Sequence, residues 1–309
     1  MKWYALLLFV CLSAVSGAQE LFPSQETANT IAKGTLDLKM ANEFYNDASQ
    51  FRSWQGYSFY YGLTSSLTIS QLFSFSNHHG YLLPNDFIQP AGQGIYSTNG
   101  YVPGRDEPYT FENFTIGLKW RFLKRDAEKR HIRLGAYLNL APGNEPHMAA
   151  EASLDGDNSG IATGLIATLL QHRFASSVMV GVIIPHIYLQ SFDTVEIKYG
   201  NAINYSLSLG YLLLPTSYKN YKQTNINVYF EIVGESYNAD LVYKNNIEVS
   251  TANALSLKSG NYLEGRPAVQ FILHSNTRID ASLSFLLAGV TYERSYPAYF
   301  FNVRHTFYL

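Results

Sequence analysis

Phe114-Thr115-Ile116-Gly117-Leu118-Lys119-Trp120-Arg121-Phe122 decides the fold. Its large apolar residues occupy every second position, with Thr115, Gly117, Lys119 and Arg121 between them. An extended chain sends alternate side chains to opposite faces, whereas a helix would spread these residues around its circumference. The same period returns at 132–140, where Ile132, Leu134, Ala136, Leu138 and Leu140 alternate with Arg133, Gly135, Tyr137 and Asn139. It returns at 226–235 and again at 278–287, where Ile279, Ala281, Leu283, Phe285 and Leu287 oppose Arg278, Asp280, Ser282 and Ser284.

Working outward from these stretches, the pattern predicts twelve strands: 31–41, 54–62, 66–76, 110–122, 131–141, 159–171, 175–185, 195–212, 223–237, 262–273, 277–289 and 298–309. The range compatible with the pattern is about 10–14 strands, because 238–261 has room for one more hairpin. Strands of a soluble sandwich are usually about five or six residues long, whereas a tilted strand crossing a bilayer needs about 9–11. Strand length therefore points to an all-β fold: an antiparallel, up-and-down transmembrane β-barrel over 31–309. The connections alternate. Short ones fall near 62–66, 123–130, 172–175, 213–222 and 274–276, and long ones near 42–53, 77–109, 142–158, 186–194, 238–261 and 290–297. An even strand count puts every long connection on one face, as in outer-membrane barrels of Gram-negative bacteria.

The composition agrees. Among 309 residues, 22 Lys+Arg face 24 Asp+Glu, too even a balance for a protein that binds nucleic acid by bulk charge. Aromatics make up 15%, which is too rich for a disordered chain. Met1-Lys2-Trp3, the apolar run Tyr4 to Val15 and the small residues Ser16-Gly17-Ala18 have the layout of a cleaved export signal over 1–18. Cys11, the sole cysteine, lies within that run, so the exported chain forms no disulfide. Residues 19–30 read as a short periplasmic segment ahead of the barrel. The chain ends in a strand with Tyr299, Phe301, Val303, Phe307 and Leu309 on one parity, an ending similar to the signal read by the barrel-assembly machinery.

In a closed barrel the apolar parity meets lipid and the polar parity meets the lumen. The lumen-lining candidates are Lys119, Arg121, Arg133, Lys198, Glu231, Glu235, Glu264, Arg266, Arg278, Asp280 and Arg304, with Asp37, Lys39 and Glu196 beside them. Such a mixed ring can line a polar path or pair with itself as a structural network. The loop 77–109 is a candidate lid or plug, with Phe87, Tyr96 and Tyr101 available to a ligand; His78-His79 gives weak grounds for a metal. Asp155-Gly156-Asp157-Asn158-Ser159-Gly160 has calcium-like oxygen spacing but lacks the later bidentate Glu. His274-Ser275-Asn276 offers the residue types of a hydrolase within a short turn. No catalytic residue, metal or cofactor is assigned.

Tyr61-Gly62-Leu63-Thr64-Ser65-Ser66-Leu67 resembles a recurring hairpin of the outer-membrane barrel family named after the meta-pathway of phenol degradation, whose members often show Gly-Leu-Thr-Asp-Arg-Leu there. Ser65-Ser66 replaces the acidic-basic pair. Ala141-Pro142-Gly143, Ile184-Pro185, Phe230-Glu231 with Gly234, and Tyr262 to Gln270 are similar to other strand ends and late strands of that family. The resemblance covers most of 30–309 and implies an envelope transporter for small hydrophobic or aromatic solutes, with outer-membrane lipid as its surroundings. The alternatives are an outer-membrane hydrolase acting on lipid, and a non-conducting structural or adhesive barrel whose outer loops bind a ligand.

Overall fold

The computed structural model describes residues 22–47, 50–77, 109–143, 147, 149–156, 158–190, 195–217, 223–249, 255–292 and 294–308. The expected export signal, His78-His79, Phe87, Tyr96, Tyr101 and Asp157 lie outside the described residues.

Twelve strands close into one antiparallel barrel. In chain order they are β1 (Thr35–Asp47), β2 (Gln50–Thr64), β3 (Leu67–Ser76), β4 (Thr110–Ala127), β5 (Arg130–Ala141), β6 (Gly160–Gln171), β7 (Phe174–Pro185), β10 (Ala202–Leu214), β11 (Asn225–Tyr237), β14 (Gly260–Leu273), β15 (Thr277–Gly289) and β16 (Ala298–Tyr308). Each pairs with its predecessor, and β1 closes on β16 from Thr35↔Tyr308 to Phe44↔Tyr299. Four further strands, β8 (Tyr188–Gln190), β9 (Val195–Lys198), β12 (Leu241–Lys244) and β13 (Ile247–Val249), form a separate sheet in the order β13-β12-β9-β8. Both of its hairpins belong to the long-connection end.

The expected alternation appears as exposure. On β6, Leu165 is 63% exposed and its neighbour Ile166 is 2% exposed. Trp120, Phe122, Val178, Val180, Phe230, Phe271 and Phe301 continue the exposed apolar exterior around the wall. Such a surface is stable only against lipid, and closure leaves no backbone edge unsatisfied there.

Four expectations are corrected. Residues 42–53 are not a long loop, because β1 and β2 extend toward each other until Asp47 pairs with Gln50. The first strand starts at Thr35 rather than 31. The single strand expected over 195–212 is broken at Tyr199-Gly200-Asn201. A Cβ on Gly200 would lie 2.3 Å from the Asn238 carbonyl, so only glycine lets the chain pass this close to the β11–β12 connection. The hairpin sought within 238–261 exists as β12–β13, but it pairs with β9 outside the barrel and leaves the barrel count at twelve.

Candidate functional site

The lumen is filled from both ends. At the short-turn end, residues 22–33 run inside the barrel, bonded to side chains on the inner face of the wall. The Phe22 ring packs edge-on against Tyr229, with centroids 5.4 Å apart. The Pro23 carbonyl accepts from Lys39 Nζ and Asn302 Nδ2, both at 3.3 Å. The Ser24 and Gln25 amides donate to the Glu231 carboxylate at 3.2 and 3.1 Å. Glu26 pairs with Lys119 at 2.5 Å. The Ala28 amide donates to Thr168 Oγ1 at 2.9 Å and the Ile31 amide to Thr68 Oγ1 at 2.8 Å, while Arg133 donates to Asn29 Oδ1. These partners come from β1, β3, β4, β5, β6, β11 and β16, so the segment sweeps across the lumen. A Cβ on Gly62 would sit 2.0 Å from the Ala32 carbonyl; glycine there allows the segment to press against β2.

At the other end, the connection between β5 and β6 turns inward. Ala152 N donates to Glu235 at 2.9 Å, and the Leu154 carbonyl accepts from Thr115 Oγ1 at 3.0 Å. Glu151 accepts from Thr291 Oγ1 at 2.7 Å and from the Tyr292 amide, which ties this loop to the β15–β16 connection. The Ala150 amide reaches Ser256 O at 2.8 Å, and the His147 amide reaches the Tyr199 hydroxyl at 2.7 Å, which ties it to the outer sheet. That sheet has its own core of Tyr188, Val195, Ile197, Tyr199, Val242 and Leu257. Beside it, buried Asp240 accepts the Gly200 amide at 2.8 Å. Burial pushes its carboxyl up to about 7, against the opposing pull of the Gly200 N–H and of His147.

Between plug and lid lies a chamber of about 400 Å³. Pro23 to Glu26 contribute its floor and Ala152 to Gly156 its roof. One wall carries charge. Glu264, fully buried on β14, accepts from Arg266 at 2.5 and 2.8 Å, Arg294 at 2.9 Å, Ser284 at 2.9 Å and the Tyr296 hydroxyl. Arg294 also reaches Glu43 on β1 at 2.6 Å, so the β15–β16 connection is strapped to the wall on both sides. The Arg266 guanidinium lies over the Phe300 ring at 4.8 Å. Lower down, Arg304 pairs with Asp37 at 2.7 Å and covers the Tyr60 ring at 4.6 Å.

The wall formed by β6, β7 and β10 has no Asp, Glu, Lys, Arg or His at all. Inside it are Ala162, Ile183 and Met179. Gly164 and Gly181 pair directly across β6 and β7, flanked by Tyr137 on β5 and Asn204 on β10. A Cβ on Gly181 would lie 2.1 Å from the Tyr137 hydroxyl, and one on Gly164 would lie 2.7 Å from the Tyr137 ring. The tyrosine therefore lies along a strip of bare backbone, with its hydroxyl directed at Asn204 Oδ1, 3.4 Å away.

Of the lumen candidates read from the sequence, Lys119, Arg121, Arg133, Glu231, Glu235, Glu264, Arg266, Arg278, Asp280 and Arg304 all lie on barrel strands with their side chains largely buried. Lys198 does not. It lies on β9, is exposed and pairs with Leu241 in the outer sheet; Glu196 shares that strand. Both were assigned to the lumen because their strand was read as continuous with β10. Arg121 and Arg133 belong to the plug's seat rather than the chamber, with Arg121 donating to Ser65 O. The calcium-like loop closes on itself, since Asn158 Oδ1 accepts the Ser153 amide at 2.8 Å. Among the described residues no group of three His, Cys, Asp or Glu could hold a metal. His274 and Ser275 form the tip of the β14–β15 turn, with φ of 50° and 61°. The plug, the inturned lid and the Tyr137 strip escaped sequence reading, because polar and small residues give no period when they line the inside of a lumen.

No family model matches this sequence, and no characterised protein matches it. By structure the chain is similar to the COG4313 outer membrane channel from Pseudomonas putida F1, with a TM-score of 0.55 and 11% identity over 93% of this chain and 99% of that one. The NanC porin (TM-score 0.43, 8% identity, 89% and 100% covered) and the KdgM porin (0.40, 7%, 88% and 99%) superpose more loosely. The likeness to the first of these is one of fold: a closed, antiparallel β-barrel of the outer-membrane kind.

Proposed function

We propose that the protein is a bacterial outer-membrane channel that passes small solutes of apolar or aromatic character by way of a chamber in its lumen. The observation that carries this reading is the chamber itself, lined by residues 23–26 on one side and 152–156 on the other and bounded along the wall by uncharged strands. A wall without charge lets an apolar solute lie against it without desolvating an ion. Passage then requires the plug to leave its seat.

The exposed apolar exterior supports residence in the outer membrane, with lipid as the surrounding partner. The alternating last strand supports delivery by the barrel-assembly machinery. The hairpin at Tyr61 to Leu67 and the later strand ends support kinship with the phenol meta-pathway barrels, and with it a solute of hydrophobic or aromatic type. The reading assigns the chain no catalytic step.

The test is single-channel conductance of the refolded chain in a planar bilayer, together with liposome swelling. The wild type should conduct weakly. The variant S24P/Q25P, which lacks both amide donors to Glu231, should conduct more. Aromatic solutes should enter liposomes faster than sugars of equal size. Silence in both proteins, with no swelling, would instead identify a non-conducting barrel.

A further inference from the structure

The plug's seat is built to hold a polypeptide backbone. Glu231 takes two successive amides, Lys39 and Asn302 converge on one carbonyl, and Thr168 and Thr68 take two further amides. Each of these contacts is to a main-chain atom, which any peptide supplies. A strong side-chain contact is the ion pair of Glu26 with Lys119. Residues 22–32 form no strand or helix of their own, so the wall supplies their order.

We propose that this seat is an exchangeable peptide-binding groove: it accepts, in trans, a peptide that can take the bent path of residues 22–33 and bears a carboxylate at the position of Glu26, and such a peptide displaces the chain's own segment. Glu231 gives the physical reason for exchange. It is fully buried, and besides the two plug amides it accepts the Ser208 hydroxyl at 3.1 Å. Departure of the plug takes two donors from this carboxylate and leaves only water from the chamber to replace them. A second peptide restores both donors as the first leaves. The resident segment has the advantage of its tether, which acts as a millimolar effective concentration, so an outside peptide must compete against it. The proposal rests on the seat's geometry and stands apart from the passage of solutes.

The experiment is fluorescence anisotropy with a labelled synthetic peptide of residues 22–33, titrated into the refolded full-length chain. The wild type should bind it weakly. The full-length variant E26Q/N29A keeps the seat intact but loosens its own segment, and should bind about tenfold more tightly as the tethered competitor weakens. A peptide with Gln in place of Glu26 should lose about fivefold on that variant, the size of one partly screened ion pair. The K119E chain should reverse this preference and favour a peptide carrying Lys in place of Glu26. It supplies the same test if E26Q/N29A gives no heat-modifiable folded band. Absence of binding to the loosened variant, or equal binding of the Glu and Gln peptides, overturns the proposal. Neither result depends on conductance, so a failed channel reading leaves this one measurable.

Discussion

Two parts of the same barrel wall solve the problem of an interior surface in opposite ways. The arc β14-β15-β16-β1 carries Glu264, Arg266, Arg278, Asp280, Arg304, Asp37, Lys39 and Glu43, most of them buried, whereas the arc β6-β7-β10 carries no charge on either face. On one side β11 alone separates them. The charged arc gains specificity by bonding loops and plug to itself: Arg294 and Tyr296 come from a connection, and Lys39 and Asn302 hold Pro23. The uncharged arc gains room. Its glycines let Tyr137 lie flat, and its small residues leave the chamber open beside it. A charge in a lumen this narrow must be partnered, so the chamber has paired charges such as Arg266 and Arg294 on one side and the small and apolar residues Ala162, Met179 and Ile183 on the other.

Breaking the charged arc should have the largest effect. Glu264→Ala takes from buried Arg266 its ion-pair partner and leaves Arg294 its contact with Glu43, and should cost about 3–5 kcal/mol of barrel stability. The urea midpoint of the heat-modifiable band reads this directly. A loss below about 1 kcal/mol would mean that the cluster is solvated, as surface pairs are, and would dissolve the contrast.

The uncharged arc has a smaller but sharper test. Gly181→Ala drives a Cβ into the Tyr137 hydroxyl, and should cost about 1–3 kcal/mol by overpacking. Adding Tyr137→Phe removes the nearest clashing oxygen, leaving Asn204 Oδ1 at 2.6 Å and the Thr163 carbonyl at 2.9 Å, and should recover part of that loss. If the double variant is no better than the single one, Tyr137 does not lie on the glycine strip.

The outer sheet extends the comparison to pH. The Asp240 carboxyl sits at about 7 when folded, against 3.8 ordinarily, so the folded state holds its proton longer. Its contribution is complete below about pH 4 and is lost as pH rises toward 7, with no further change above that. Hydrogen exchange of the 195–199 and 241–244 amides, corrected for intrinsic rate, should show protection falling over that window. Asp240→Asn should flatten the profile; an unchanged slope would assign the titration to another group. The smallest effect belongs to Lys198→Ala. As an exposed side chain on the outer sheet it should change stability by less than about 0.5 kcal/mol and leave conductance unaltered. A change in ion selectivity would return Lys198 to the lumen.

The sequence by itself determined the class of fold, the number of barrel strands, the parity of nearly every strand and, except at 42–53, the alternation of short turns with long connections. It could do so because lipid imposes a strict period of two on the outer face, and Trp120, Leu165, Val180 and Phe301 record that period whatever lies inside. It also placed twelve of the fourteen charged candidates on barrel strands, all but Glu196 and Lys198, since a charge on the wrong parity would face hydrocarbon. What only the tertiary structure decided concerns the interior. The descent of residues 22–33 into the lumen, the inward turn of 149–156 and the break at Gly200 that carries Lys198 out of the wall follow from contacts between residues far apart in the chain. Ser24 meets Glu231 and Ala28 meets Thr168 across more than a hundred positions. The inside of a lumen accepts polar, small and aromatic residues alike, provided that each finds its partner. Such pairings leave no period in a sequence, and they become visible only when the barrel closes.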